Sequence, residues 1–118
     1  MKRLIKPLET KKKKSQPREK VIQSHILAWL RSVGCSVDII TVSMYNRSGI
    51  SDIVGCLPDG RFLSVEVKRQ GGKATKLQDV WIDEKVRNNG VSIIAHSVDE
   101  VRILLEGYGY RFTSSAVH

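Results

Sequence analysis

Gly49-Ile50-Ser51-Asp52-Ile53-Val54 and Leu63-Ser64-Val65-Glu66-Val67-Lys68 each set one carboxylate inside a run of apolar and β-branched residues. Such runs read as strands. Pro58-Asp59-Gly60 between them is turn chemistry, so Asp52–Leu57 and Arg61–Lys68 are predicted to form a hairpin. A three-residue loop pairs Leu57 with Arg61 and sets Asp52 opposite Glu66 on one face; a two-residue turn instead moves Asp52 opposite Val67. In the first register the carboxylates lie ~5 Å apart and repel unless a proton or a cation stands between them. A hard divalent cation with oxygen ligands, Mg²⁺ or Mn²⁺, meets that need. Lys68, two residues after Glu66, shares its face and sets an ammonium where it can orient a water or counter charge on a phosphate. The bland alternative is an exposed Glu66–Lys68 pair with Asp52 merely opening a strand. Apolar flanks on both sides of each acid favour the metal reading.

Outward from the hairpin, the elements alternate. Arg18–Val33 reads as an amphipathic helix with Ile22, Ile26, Trp29 and Val33 on one face, Pro17 at its start and Gly34 at its stop. Val37–Ser43 reads as a strand and Met44–Ser51 as a polar loop. Gln70-Gly71-Gly72-Lys73 reads as a flexible loop. Thr75–Asn89 reads as a second helix with Leu77, Val80, Trp81 and Val86 turned inward and Gly90 as its stop. Val91–Ala95 reads as a buried strand, and Val98–Glu106 as a short helix that Ser97 can cap. Tyr108–Thr113 is a possible final edge strand. The order αβββαβ, then α, predicts a small mixed sheet flanked by helices, an α/β (α+β) class.

The chain has 118 residues, one domain's worth. No run of about 18 apolar residues predicts a transmembrane helix, and no apolar stretch follows the basic N-terminus as in a signal peptide. Two cysteines, Cys35 and Cys56, make no disulfide scaffold; they are expected to be buried or half-buried fillers in a reducing setting, the cytoplasm. With His25, His96 and His118 they show no zinc-ligand spacing. Gly71-Gly72-Lys73-Ala74-Thr75 lacks the leading glycine of a phosphate-binding loop. Trp29 and Trp81 are expected in the core.

The net charge is +8, and residues 1–20 carry nine basic and two acidic residues, +7 of it. Lys11, Lys12, Lys13 and Lys14 lie between Pro7 and Pro17, so residues 1–16 are expected to form a flexible basic arm and 17–118 a single domain. Such an arm suits nucleic-acid phosphates, gaining affinity by counterion release, better than a membrane, for it has almost no apolar face. Arg47, Arg69, Lys73 and Lys76 are further candidates for contact with a DNA backbone.

Gly49-Ile50-Ser51-Asp52, Glu66-Val67-Lys68 and Gln78 on the next helix together resemble the PD-(D/E)XK nucleases, and within them the VRR-NUC (virus-type replication-repair nuclease) branch. The resemblance covers residues 18 to about 100. It implies a restriction-endonuclease-like core and metal-dependent hydrolysis of DNA by an endonuclease. In that reading Asp52, Glu66 and the Val67 carbonyl hold Mg²⁺ or Mn²⁺, and Glu19 completes the shell or simply favours a helix N-terminus. Lys68 positions water or steadies charge, and Gln78 orients the site. Ser51 stands where the family often has proline. The letters Pro58-Asp59 are a decoy: Asp59 lies at the hairpin tip, about 23 Å of strand from Glu66. Similar stand-alone members act as homodimers on branched DNA such as four-way junctions, which extends the expectation to a dimer in a bacterial or phage-infected cell, in DNA repair or recombination. Val101–Leu105 with Tyr108, Tyr110 and Phe112 serves equally as a dimer interface or as core. The rival reading is a non-catalytic basic nucleic-acid-binding protein, or an interaction module; neither needs two inward acids.

Overall fold

The computed structural model describes residues 18–41 and 47–112. Helix α1 (Glu19–Ser32) is followed by strands β1 (Ser36–Ile39), β2 (Ile53–Cys56) and β3 (Phe62–Val67), helix α2 (Lys76–Arg87), strand β4 (Val91–Ala95) and helix α3 (Val98–Gly107). The four strands form one sheet in the order β1-β2-β3-β4. β1, β2 and β3 pair antiparallel, and β3 and β4 pair parallel across α2. This is the expected αβββαβ core with a closing helix. Among the described residues no helix is long and apolar enough to cross a membrane.

Strand alternation divides the sheet into two faces. Leu63, Val65 and Val67 point to one side with Val37, Ile53, Val91, Ile93 and Ala95, and all are buried. Against them pack Ile22, Ile26 and Leu30 of α1, three apolar side chains four residues apart, and Val101 and Leu105 of α3. Removing each such side chain from water contributes ~1.5–3 kcal/mol. The opposite face carries Ser64 and Glu66 of β3 and Ser92 of β4, all buried. There the Ser64 and Ser92 hydroxyls bond across the strands, and Trp81 of α2 tilts against Phe62. One face is thus an aliphatic core, and the other carries buried polar side chains beside an aromatic pair.

The hairpin takes the three-residue loop. Leu57 N–H donates to the Arg61 carbonyl (2.8 Å), Gly60 takes the left-handed conformation (φ +90°), and Ile53 pairs with Val65. That register sets Asp52 opposite Glu66 one step further on.

Several sequence expectations are corrected. β1 ends at Ile39 instead of Ser43, because its partner there, Ile53, is the first residue of β2; beyond it Ile40 N–H still donates to the Asp52 carbonyl (2.8 Å). Residues 42 and 43 lie outside the described residues. Leu77, Val80 and Val86 are exposed (58%, 49% and 43%). In α2 the polar Gln78 turns inward with Trp81, which rotates the neighbouring apolar positions out. Asn89, at φ +68°, takes the left-handed position after α2, one residue before Gly90. Tyr108–Phe112 form no strand: the chain turns at Gly109 (φ +100°) and lays Tyr110 and Phe112 on the core, Phe112 edge-on to Trp29 at 5.1 Å. Val101 and Leu105 are buried in the core, while Ile103 of the same run is exposed (58%). Cys35 is buried as expected, but Cys56 is exposed because it faces outward at the end of β2. Trp81 is buried and Trp29 only partly so.

Gly49 joins the loop before β2 to the first turn of α2. It has φ +90°, and a Cβ there would lie 2.4 Å from the Leu77 carbonyl oxygen. Gly49→Ala is expected to cost ~2–4 kcal/mol, from left-handed strain and overpacking against backbone. Gly60→Ala, also at φ +90° but with nothing near its Cβ, should cost only the strain, ~1–2 kcal/mol. Urea unfolding of the two variants checks the difference.

Candidate active site

The polar face of the sheet converges on Glu66. Burial at 2% exposure in mid-strand makes an ionised carboxylate costly unless its oxygens are bonded. One oxygen is well served. Glu66 Oε2 accepts from Gln78 Nε2 (3.0 Å) and faces Lys68 Nζ (3.2 Å). Lys68 is itself largely buried, with 14% of its side chain exposed, and reaches Glu66 because residues two apart on a strand share a face. The other oxygen, Oε1, is buried without a protein partner.

Gln78 is aimed by the helix it belongs to. Thr75 is the N-cap of α2; its hydroxyl accepts from Gln78 N–H (3.2 Å), and Gln78 Oε1 accepts from Thr75 N–H (2.8 Å). This capping box satisfies two orphan donors of the first turn. It also settles the amide: with Oε1 on a backbone N–H, Nε2 must face Glu66. The pattern Thr75-x-x-Gln78 is a capping signal readable in the residues alone, and it makes Thr75 a support of the site.

Asp52, where the chain bends into β2, accepts from Val67 N–H through Oδ2 (2.9 Å). The N–H just past Glu66 thus fixes the carboxylate facing Glu66. Ser51, beside it, is buried with its hydroxyl unpartnered. Glu19 opens α1 and lines a surface cleft with Asp52, Gln23, Ile39, Ile40 and Thr41. Its charge reaches both other acids. Among the described residues, however, no three His, Cys, Asp or Glu side chains converge to hold a metal ion.

The electrostatics follow from burial and like charge. Burial first, and then the Asp52 carboxylate, push Glu66 up to about 7, against the pull of Lys68. Burial also raises Asp52, opposed by the Val67 N–H and by Lys68. An orphaned, buried carboxylate oxygen beside a second carboxylate fits a hard divalent cation, which takes oxygen ligands and keeps several waters. Asp52, Glu66 and the backbone oxygen of Val67 are the donors that would hold it.

The other sequence candidates stand apart. Arg47 pairs with Glu84 of α2 (2.9 Å). Arg69, Lys73 and Lys76 are exposed along the segment from β3 to the start of α2. Lys11, Lys12, Lys13 and Lys14 lie outside the described residues. Asp59 is at the hairpin tip, where it accepts from Arg61 N–H (3.1 Å) and the Tyr110 hydroxyl (2.9 Å).

A raised acid means that the folded chain holds a proton the unfolded chain releases. Without metal, stability should therefore fall as pH rises from about 4.5 to about 7, by an amount on the order of 3 kcal/mol. Thermal unfolding in EDTA across pH 5–8 checks this. Glu66→Gln should flatten that part of the slope, and Mg²⁺ or Mn²⁺ should restore stability to the wild type at pH 8 but not to Glu66→Gln.

The sequence profile of the VRR-NUC domain matches residues 9–99. Among the solved structures that share the fold are two of the same description. A VRR-NUC domain is 24% identical, covers 76% of this chain and 96% of its own, and superposes with a TM-score of 0.65. A VRR-NUC domain protein is 18% identical, covers 79% of this chain and 88% of its own, and superposes with a TM-score of 0.61. No curated protein matches the sequence. With a mixed sheet that gathers Asp52, Glu66 and Lys68, with Gln78 of α2 bonded to Glu66, and a profile match spanning most of its length, the chain belongs to the VRR-NUC family of nuclease-type domains.

Proposed function

We propose that this chain hydrolyses phosphodiester bonds of DNA as an endonuclease that uses a divalent cation, Mg²⁺ or Mn²⁺. The observation that carries the reading is the buried, unpartnered Glu66 Oε1 beside Asp52, with Lys68 3.2 Å from the other oxygen of Glu66. The cation, when bound, supplies positive charge that acidifies water and offsets charge gathering on the phosphate.

The chain's own residues do the rest. Asp52 and Glu66, with the Val67 carbonyl, are the cation's ligands; Glu19 at the cleft mouth is close enough to bias both carboxylates and adds to the shell through solvent. Lys68 holds the attacking water or meets the charge on the phosphate oxygens. Its nearly dry setting strengthens either effect. Gln78 keeps Glu66 Oε2 occupied, so that Oε1 remains the open ligand.

DNA is held by charge. Arg69, Lys73 and Lys76 meet phosphates beside the site. Arg47 joins them by leaving Glu84, since an exposed ion pair is worth only ~0–1 kcal/mol. Lys11, Lys12, Lys13 and Lys14, in an arm of residues 1–16, add counterion-release affinity. The preferred substrate is branched DNA such as a four-way junction, cut by a homodimer that brings one site to each of two strands. The exposed apolar residues Leu77, Val80 and Val86 of α2 offer a contact surface for the second copy. The setting is DNA repair or recombination in the cytoplasm of a bacterial or phage-infected cell.

A labelled panel of single strand, duplex, flap, splayed arm and four-way junction, each with Mg²⁺, Mn²⁺ or EDTA, tests the proposal. Cleavage is expected with either metal, strongest on branched substrates, absent in EDTA, and reduced by at least 10²-fold in Lys68→Ala, Asp52→Ala and Glu66→Ala, with DNA binding retained. Tight, salt-sensitive binding without cleavage of any substrate would refute it and favour a binding protein. Deleting residues 1–16 should weaken binding and reduce its salt slope while sparing the chemistry; an unchanged slope would refute the arm.

A further inference from the structure

His96 follows the last residue of β4, and its ring bridges two elements beside the proposed site. Its Nδ1 meets Glu100 Oε1 of α3 (2.7 Å), and its Nε2 meets the backbone carbonyl of Gly72 (3.1 Å), in the segment between β3 and α2. The first contact is fixed by the helix. Ser97 caps α3 by accepting from Glu100 N–H (3.1 Å), and Glu100 Oε1 also accepts from His96 N–H (2.7 Å). The carboxylate is therefore locked against the imidazole. A carbonyl can only accept, so Nε2 is a donor. Both bonds favour the protonated ring, against a smaller effect of burial.

The second contact bears on the site. Gly72 closes a turn by donating to the Arg69 carbonyl (2.8 Å). It also sits so close to the lysine of the site that a Cβ on Gly72 would lie 3.2 Å from Lys68 Cβ. Lys68 N–H in turn donates to the Ala95 carbonyl (3.0 Å), so Lys68 and His96, the residue after Ala95, leave adjacent parallel strands side by side. The same segment runs on into Thr75, the cap that aims Gln78.

We propose that His96 is a positioning residue, which latches the Gly72 carbonyl so that the segment after β3 stays packed on Lys68 and keeps its ammonium at Glu66. The latch acts through one donor at the Nε2 position, and its catalytic consequence rests on the nuclease reading above.

Two substitutions separate this role from a general structural one. Glutamine places its amide nitrogen near the Nε2 position and keeps the donor to Gly72. Asparagine is shorter; it reaches Glu100 but not Gly72. In the full-length chain, single-turnover cleavage of the branched substrate should fall about tenfold to a hundredfold in H96N and stay within about twofold of wild type in H96Q. DNA affinity measured in EDTA should be unchanged in both. Hydrogen exchange of the DNA-free chain should quicken over residues 69–75 in H96N only. Equal cleavage rates in the two variants, or a loss of DNA affinity in H96N matching its loss of rate, would overturn the positioning role. So would quicker exchange throughout the β3 core of H96N, which would mark global loosening. Should the wild type cleave no DNA, the nuclease reading falls and the catalytic role of the latch with it. The exchange pattern still judges the latch itself, which is overturned by unchanged exchange over 69–75 in H96N.

Discussion

Glu66 is a carboxylate in the middle of a sheet, almost sealed from water, and the polar half of the fold is arranged around its needs. Its ionised form is disfavoured by burial and by Asp52. It is sustained by a lysine from its own strand and an amide from the next helix. Such an arrangement costs stability in the absence of a cation, since buried ion pairs rarely recover their desolvation. A fold tolerates that cost when the other face supplies it, and here the aliphatic face does. Leu63, Val65 and Val67, which alternate with Ser64 and Glu66 on the same strand, are completely buried against α1 and α3. One strand therefore carries both the core and the strained carboxylate, and neither can shift register without moving the other.

The helix α2 shows how local rules serve the same centre. Its capping box would stabilise any helix N-terminus, but here the glutamine spends its carbonyl on the cap and its amino group on Glu66. The cap thus transmits the position of the helix to the carboxylate. Gly49 matters for a related reason: its missing Cβ lets the loop before Asp52 lie against the Leu77 backbone, so that both acids and the glutamine are measured from one contact. Rotating Gln78 inward leaves Leu77, Val80 and Val86 facing out, an apolar surface that exists because the site claimed the inner face.

Charge is divided by depth. The described basic residues beside the site, Arg69, Lys73 and Lys76, are exposed, where charge–charge interactions act in high dielectric and with salt sensitivity. Lys68 is drawn inward to a carboxylate. Under the proposed function, that separation rests affinity and chemistry on different residues, so that a polyanion can be bound while two acids stay at the centre.

The element order and the hairpin were legible in the residues, because short-range chemistry decides them. Pro58-Asp59-Gly60 marks the turn, and the length of a turn specifies every pair that follows it. The residues left two lengths open; the structure takes the three-residue loop, which sets Asp52 opposite Glu66. The dismissal of Asp59, which tops the hairpin and bonds to Tyr110, needed only the turn itself. What the sequence could not settle depends on which surfaces meet. The apolar spacing of Leu77, Val80 and Val86 is compatible with an inward face, and only the docking of Gln78 on Glu66 turns it outward. Val101–Leu105 reads equally as core or interface until α3 is laid beside α1. His96 carries no signal in its neighbours, since its partner Gly72 is 24 residues away and contributes only a backbone carbonyl. Backbone groups have no letter of their own, so contacts made through them belong to the tertiary structure.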